Sequence, residues 1–286
     1  MYEAKRVGNQ SIELFATEMH DAVTTRLRLK GELKRGLARG EFLVHYQPIV
    51  ALADRSIGGF EALVRWNHPT RGLVGPADFI PFAEQTGQII ELGTFVLRTA
   101  CRQLASWNRR WPEQRYVSVN VAGPQLQRDS FLTEVTDAIA EAGIAPENLL
   151  LEVTETALIQ DSEGNERRMS ELRDLGVRLA IDDFGTGYSS LNYLRRFSMD
   201  VLKVDKTFVD FVAQADRDSA LVKAMVTMGA SLDLEVVAEG IEDPGQLEAL
   251  AGLGCPLGQG YLFSRPVSAE DIEAMVQLSL EPSLVP

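Results

Sequence analysis

The strongest constraint on the fold is a regular alternation, from about Phe42 onward, of short apolar segments with longer segments of helical period. Strands that alternate with helices are typical of a parallel β/α fold. The length of 286 residues suits a single β/α barrel. The eight candidate strands are Phe42–Ile49, Gly58–Arg65, Tyr116–Val121, Leu149–Thr154, Arg178–Asp182, Val201–Val204, Glu235–Ala238 and Gly258–Leu262.

The connection between the first two candidate strands is too short to contain a helix. It consists of the turn-rich residues Ala53, Asp54, Arg55 and Ser56, whereas parallel neighbours need a crossover of about a dozen residues or more. We therefore expect these strands to be antiparallel, in a modified TIM-type (β/α)8 barrel of the α/β class. The predicted helices are Ile90–Arg110, Gln125–Ala142, Asn165–Leu175, Ser190–Phe197, Ser219–Leu232, Gly245–Leu253 and a last one after Ser268.

The segment that precedes the barrel has a different pattern. Leu29, Leu33 and Leu37 recur at helical spacing among charged neighbours within residues 11–40, which predicts an amphipathic helix. We assign residues 16–40 to a linker helix and residues 41–286 to the barrel. Two interpretations of the helix stay open, because its apolar stripe could pack on the barrel or could transmit a signal between domains.

The composition of the chain restricts its possible binding partners and its cellular location. The net charge of −13 opposes non-specific binding to DNA, RNA or an anionic membrane. A phosphate-bearing substrate would therefore need divalent cations held by clustered carboxylates. Cys101 and Cys255 form no C-x-x-C pair, and the first ten residues lack a signal-peptide core. No apolar run approaches the roughly 18 residues that span a membrane, so we expect a cytoplasmic location without membrane insertion.

Acidic and amide side chains stand at or just beyond the C-terminal ends of the candidate strands. In a β/α barrel these ends converge on one face, where active sites lie. Carboxylates gathered there would repel one another unless cations lay between them. Asp, Glu and Asn oxygens suit Mg²⁺ or Mn²⁺ rather than zinc, and two such ions can promote phosphodiester cleavage. The residues concerned are Glu61, Asn120, Glu152, Asp182, Asp183 and Glu239.

Lys203 places a cation inside the apolar strand Val201–Val204, at the level of these acids. It could pair with a neighbouring carboxylate, or it could position the attacking water and stabilise developing charge. An enolase-type Mg²⁺ barrel, which abstracts a proton from a carboxylate substrate, would share the acidic strand ends. It does not account for the two acids and the glycine loop of Asp182–Ser190.

Eight segments resemble, in order along the chain, the signature segments of EAL domains. The segments are Tyr46–Val50, Glu61–Trp66, Val119–Val121, Glu152–Glu155, Asp182–Gly187, Leu202–Asp205, Ala238–Glu242 and Gln259–Tyr261. The resemblance covers about Leu33 to the C-terminus. It implies a barrel with an antiparallel first strand and a phosphodiesterase that hydrolyses cyclic di-GMP to linear pGpG.

The resemblance also implies roles for individual residues. One Mg²⁺ or Mn²⁺ ion would be ligated by Glu61, Asn120, Glu152 and Asp182. A second ion would share Asp182 and would be ligated by Asp183 and Glu239. Lys203 would orient the attacking water. The predicted catalytic set is Glu61, Asp183, Lys203 and Glu239.

Further positions are expected to contact the substrate or to organise the site. Gln47 and Arg65 resemble substrate contacts, and Arg65 can meet a phosphate in bidentate fashion. Gln259 resembles an amide that positions the ligand. Glu155 resembles the glutamate that fixes the loop after Asp182, and the loop-organising residues are Glu155, Gly185, Thr186 and Gly187.

Partners are implied by the same resemblance. Met1–Gln10 resembles the last segment of a GGDEF domain, so residues 1–15 are expected to be a remnant of that domain in a longer parent chain. A homodimer is also expected. Because degenerate EAL domains act as receptors, a catalytically weak receptor for cyclic di-GMP remains the alternative, although every presumed catalytic position is retained.

Overall fold

The computed structural model describes residues 29–159, 161–185, 196–213 and 217–280. The chain forms two compact units. Among the described residues, the smaller comprises residues 29–43 with Arg65–Leu92, and the larger comprises Val44–Val64 with the described residues from 93 to 280.

A closed barrel of eight strands is the central feature of the described residues. One further, short strand pairs with a single barrel strand. The strands are β1 Phe42–Ala51, β2 Ile57–His68, β3 Gly72–Val74, β4 Tyr116–Asn120, β5 Leu149–Thr154, β6 Arg178–Phe184, β7 Val201–Val204, β8 Glu235–Ala238 and β9 Leu257–Gly258. Their order is β1-β9-β8-β7-β6-β5-β4-β2-β3, and the pairing of β1 with β2 closes the barrel. In the series β2-β4-β5-β6-β7-β8-β9, each strand is parallel to the next. Strand β1 is antiparallel to β9. The predicted barrel with an antiparallel first strand is confirmed.

Helices follow most of the parallel strands. In the described part of the chain they are α1 (residues 29–38), α2 Ile80–Thr86, α3 Ile89–Arg110, α4 Gly123–Leu126, α5 Phe131–Ala142, α6 Glu155–Ile159, α7 Ser162–Asp174, α8 Lys206–Val209, α9 Arg217–Ser231, α10 Pro244–Gly252 and α11 Ala269–Leu280. Helix α3 shows the basis of the pattern, because Val96, Ala100 and Leu104 recur every fourth residue and are buried. Among these helices, none has the length and hydropathy required to cross a bilayer.

The alternation of side chains along each strand determines which residues enter the barrel. In β5, Leu149 and Leu151 pack in the cluster between strands and helices, whereas Leu150 packs in the cluster inside the barrel. Successive side chains of a strand point to opposite faces, so Glu152 occupies the next inward position after Leu150. The same period brings Asn120 of β4 and Asp182 of β6 to the inner face.

The predicted helix Ser190–Phe197 lies mostly outside the described residues. Within them, the main differences from the predicted elements are three. The predicted helix Gln125–Ala142 is divided into α4 and α5, because the polar residues 127–130 form a turn. The predicted strand Gly258–Leu262 is reduced to Leu257–Gly258, since the chain turns where Gly260 packs on the backbone of Ile241. Strand β3 and helices α2, α6 and α8 are short elements that the periodicity did not predict.

The smaller unit contains the described part of the predicted linker helix. Helix α1 buries Leu29 and Leu33, which agrees with the predicted apolar stripe. Trp66 stacks on Phe42 with ring centroids 5.1 Å apart, and its Nε1 donates a hydrogen bond of 3.0 Å to Glu41. The predicted GGDEF remnant, residues 1–15, lies outside the described residues, and the domain boundaries remain predictions.

Candidate active site

The predicted acidic residues of the larger unit come together at the C-terminal end of the barrel around Lys203. The Lys203 side chain is 2% exposed, and its Nζ lies 2.6 Å from Glu152 Oε2 and 2.6 Å from Glu239 Oε1. The same nitrogen is 3.3 Å from Asp182 Oδ1 and 3.8 Å from Glu61 Oε2. One buried ammonium is therefore shared by four carboxylates from four strands or strand ends.

Glu61 is held by amide side chains on both of its oxygens. Asn120 Nδ2 donates to Glu61 Oε1 at 2.7 Å, and Gln259 Nε2 donates to Glu61 Oε2. Gln259 Nε2 also donates to Gln47 Oε1 at 2.9 Å, and Gln47 Nε2 donates to the carbonyl of Ser264 at 2.9 Å. The side chains of Asn120, Gln259 and Gln47, which come from three further strands or strand ends, therefore fix the orientation of Glu61.

A second group of acids lies on the solvent side of the cluster. Asp182, Asp183 and Glu239 each offer one oxygen, and these oxygens lie within 4.8 Å of one another. Asp183 has a left-handed backbone conformation with φ of 54°, and its N–H donates to Asp182 Oδ1 at 3.0 Å. Such strain in a non-glycine residue is typical of functional sites, and here it places two adjacent carboxylates beside Glu239.

The electrostatics of the site reflect burial and like charges. Burial, and then the charges of Asp182 and Glu61, raise the pKa of Glu239 to about 8 although Lys203 opposes the shift. Burial also raises the pKa of Glu152 well above its usual value. Burial alone would lower the pKa of Lys203, but the surrounding carboxylates raise it well above its usual range. Lys203 therefore stays protonated and offsets only part of the acidic charge.

The donor set fits a hard divalent cation. Glu152 Oε1 and Gln259 Oε1 are buried and accept no hydrogen bond from the described residues. Buried oxygens without partners cost free energy, and a cation that takes oxygen ligands would satisfy them. Carboxylate and amide oxygens are the ligands that Mg²⁺ and Mn²⁺ prefer.

A cavity of about 290 Å³ opens over the cluster. Its lining includes six predicted site residues, namely Gln47, Glu61, Asp182, Lys203, Glu239 and Gln259. It also includes Lys206, Glu242 and Tyr261, for which the sequence predicted no role. Each of these three lies within four residues of the C-terminal end of a strand, and that position is the signal that would have identified them.

Five predicted residues lie elsewhere or outside the described residues. Arg65 belongs to the smaller unit and is half-buried. Glu155 is buried at the first position of α6. Gly185 has φ of 98°, and a Cβ atom there would lie 2.8 Å from the ring of Phe208, so the position requires glycine. Thr186 and Gly187 lie outside the described residues.

The comparison with protein families decides the identity of this barrel. The EAL domain family matches residues 30–266. The chain belongs to the EAL domain family. The match confirms the resemblance of the eight signature segments and removes the enolase-type alternative.

Similar proteins include two that are named as cyclic di-GMP phosphodiesterases. The chain is 43% identical over 277 residues to the cyclic di-GMP phosphodiesterase NbdA of Pseudomonas aeruginosa, covering 97% of this chain and 35% of NbdA. It is 38% identical over 276 residues to the bifunctional diguanylate cyclase/cyclic di-GMP phosphodiesterase MucR of the same organism, covering 96% of this chain and 40% of MucR. The chain thus spans about a third of the length of these curated relatives.

Solved EAL structures share the fold. The phosphodiesterase of PaMucR in complex with c-di-GMP has a TM-score of 0.82 and 39% identity, with 86% of this chain and 99% of that chain covered. The EAL enzyme Bd1971, in a form with cAMP and cyclic-di-GMP bound, has a TM-score of 0.85 and 31% identity over 92% of this chain and 73% of that one. The modified TIM-type barrel predicted from the sequence is therefore the fold of the family.

Proposed function

We propose that this EAL domain hydrolyses cyclic di-GMP to linear pGpG with two Mg²⁺ or Mn²⁺ ions. The observation that carries the proposal is the gathering of Asp182, Asp183 and Glu239, with ligand oxygens within 4.8 Å of one another, beside the Lys203 cluster. The relatives named as cyclic di-GMP phosphodiesterases support the choice of substrate.

The residues divide into ion ligands and groups that act on the substrate. Glu61, Asn120, Glu152 and Asp182 would hold one ion, and Asp182, Asp183 and Glu239 would hold the other. When bound, such ions lower the pKa of a water molecule and stabilise a leaving oxygen. The described donor set contains the oxygens this requires, and one of them, Glu152 Oε1, is buried without a hydrogen bond.

The chain's own groups would orient the reaction. Lys203 Nζ faces Asp182 and Glu239, where it can orient a water oxygen and stabilise negative charge on the phosphate. Attack forms a bond from the water oxygen to phosphorus and breaks the bond from phosphorus to the 3′ oxygen. The water loses a proton and the 3′ oxygen gains one, so linear pGpG is the product. Gln47, Gln259 and Arg65 are the proposed substrate contacts.

Product analysis tests the function directly. Purified protein with Mg²⁺ or Mn²⁺ is incubated with cyclic di-GMP, and the nucleotides are separated by chromatography. We expect pGpG from the wild type, and no detectable product from Asp182→Asn or Glu61→Gln. Asp174→Asn is a matched control because Asp174 is exposed near the end of α7. Tight binding of the dinucleotide without product would instead select the receptor alternative.

Other properties of the parent protein are proposals that need separate measurements. A homodimer and a preceding GGDEF domain are expected from the resemblance, and a cytoplasmic location is expected from the composition. MucR is named as a bifunctional cyclase and phosphodiesterase, which supports a GGDEF partner domain. Sedimentation of the purified chain tests the dimer.

A further inference from the structure

The side chain of Lys206 lies across the backbone of Gly240, the residue that follows Glu239. A Cβ atom added to Gly240 would lie 2.6 Å from Lys206 Cβ and 2.7 Å from Lys206 Cδ. Gly240 also has φ of 71°, in the left-handed region that favours glycine. The absence of a side chain at Gly240 therefore allows the methylene groups of Lys206 to contact the backbone.

The far end of the Lys206 side chain is anchored beyond Gly240. Its Nζ donates to Glu242 Oε1 and lies 3.9 Å from Asp210 Oδ1. The backbone N–H of Glu242 donates to Gln246 Oε1 at 2.7 Å. The turn formed by residues 240–242 is thus held by Lys206 on one side and by the first turn of α10 on the other.

The near end of Lys206 is tied to the same strand that contacts Glu239. The N–H of Glu239 donates to the carbonyl of Val204 at 3.0 Å, and Lys203 Nζ lies 2.6 Å from Glu239 Oε1. Lys206 comes two residues after Val204. Strand β7 and the residues after it therefore hold Glu239 by its backbone, by its side chain and by the turn that follows it.

We propose that Lys206 is a positioning residue for Glu239. It clamps residues 240–242 and so fixes the carboxylate of Glu239 where it ligates a divalent cation. The inference rests on the proposed function, because the ligand role of Glu239 belongs to that function. If Lys206 positions Glu239 in this way, it strengthens the binding of the divalent cation even though its own side chain is positively charged.

Simple electrostatics predicts the opposite sign. Removal of a positive charge near the site would strengthen the binding of a divalent cation, by about fourfold at a separation of roughly 10 Å in a water-like dielectric without salt. Loss of a group that orients a metal ligand weakens binding by roughly tenfold or more. The direction of the change thus separates the two explanations.

The test is a calorimetric titration of the whole chain with Mn²⁺, without nucleotide. We expect Lys206→Ala to weaken Mn²⁺ binding about tenfold. Lys206→Arg retains a cation on an unbranched stem and should stay within about twofold of the wild type. Lys223→Ala, at an exposed position of α9, controls for the loss of one positive charge and should also stay within about twofold. The melting temperature of metal-free Lys206→Ala should stay close to the wild-type value, because exposed ion pairs stabilise little.

Several outcomes would overturn the proposal: unchanged or tighter Mn²⁺ binding by Lys206→Ala, equal weakening in the Arg variant, or equal weakening in Lys223→Ala. The product assay with wild-type protein is separate. Mn²⁺ binding without pGpG formation would end the proposed hydrolysis and leave the role of Lys206 intact. A wild-type protein that binds no Mn²⁺ would end both.

Discussion

At the scale of single residues, Lys203 determines the charge balance of the site. Replacement by Met keeps an unbranched stem and leaves Glu152 and three further carboxylates without their shared cation. We expect turnover of cyclic di-GMP by Lys203→Met to fall by at least about 100-fold. The free energy of unfolding of the metal-free protein should fall by about 3 kcal/mol, measured by urea titration.

Lys223→Met is the control for Lys203→Met, because it removes the same charge from an exposed helical position. It should change neither quantity. Mn²⁺ should restore part of the stability that Lys203→Met loses, since a cation again separates the acids, but it should not restore turnover. An unfolding free energy of Lys203→Met equal to that of the wild type would contradict the shared-ammonium geometry.

The sequence predicted which residues form this cluster, but it did not predict the contacts between their side chains. Glu152 interrupts an apolar strand, so its inward position and its need for a partner follow from period and burial cost. The shared pairing of Lys203 with four carboxylates, and the donation from Asn120 to Glu61, depend on side-chain directions that only the closed barrel sets. Lys206 was missed because its contact with Gly240 joins segments that are distant in sequence.

At the scale of elements, the backbone of the turn after β9 determines the position of Gln259 in the site. A Cβ atom at Gly260 would lie 2.6 Å from the carbonyl carbon of Ile241 and closer still to the Ile241 nitrogen and oxygen. Gly260→Ala must therefore shift the backbone beside Gln259, which donates to Glu61. We expect the free energy of unfolding to fall by about 2 kcal/mol, and turnover to fall with it, in denaturant titration and product assays.

Gly252→Ala provides the matched control on α10. A Cβ atom at Gly252 meets nothing within 4 Å, and Ala favours a helix more than Gly does by up to about 1 kcal/mol. This variant should be as stable as the wild type or slightly more stable, with unchanged turnover. If both glycine variants lose the same stability, the close approach of Gly260 to Ile241 is not the cause.

The contrast between β5 and β9 shows what limits prediction of elements. Strand β5, Leu149–Thr154, has the bounds that its apolar pattern predicts, because a central strand is buried on both faces and its period is uninterrupted. Strand β9 ends at Gly258, four residues before the predicted end at Leu262. Its end is set by hydrogen bonds with the distant residue Ile241, which leave no mark on the local pattern.

At the scale of the whole molecule, the net charge of −13 and the acidic cluster link stability to cations and pH. The pKa of Glu239 is raised to about 8, first by burial and then by Asp182 and Glu61. A carboxyl group with a raised folded-state pKa stabilises the fold below its unfolded value of 4.5, and this contribution is lost as pH rises towards 8. The metal-free protein should therefore become less stable across that window.

A divalent cation binds the deprotonated carboxylates, so protons and Mn²⁺ compete for the site. At a Mn²⁺ concentration of about 100 times its Kd, binding stabilises the fold by about 2.7 kcal/mol, which corresponds to a rise in Tm of roughly 5 °C for a chain of this size. We expect that rise near pH 8.5 and a clearly smaller one near pH 6, as measured by differential scanning calorimetry.

The Glu239→Gln variant separates the cluster from the general surface charge in this experiment. It removes one titrating carboxylate and one proposed ligand, so both the Mn²⁺-induced rise in Tm and its dependence on pH should shrink. Asp174→Asn removes a surface carboxylate and should leave both unchanged, because exposed charges are screened by solvent and salt. The Mn²⁺-induced rise in Tm could instead be the same near pH 6 and near pH 8.5, or be undiminished in Glu239→Gln. Either result would place the bound cation away from the C-terminal end of the barrel.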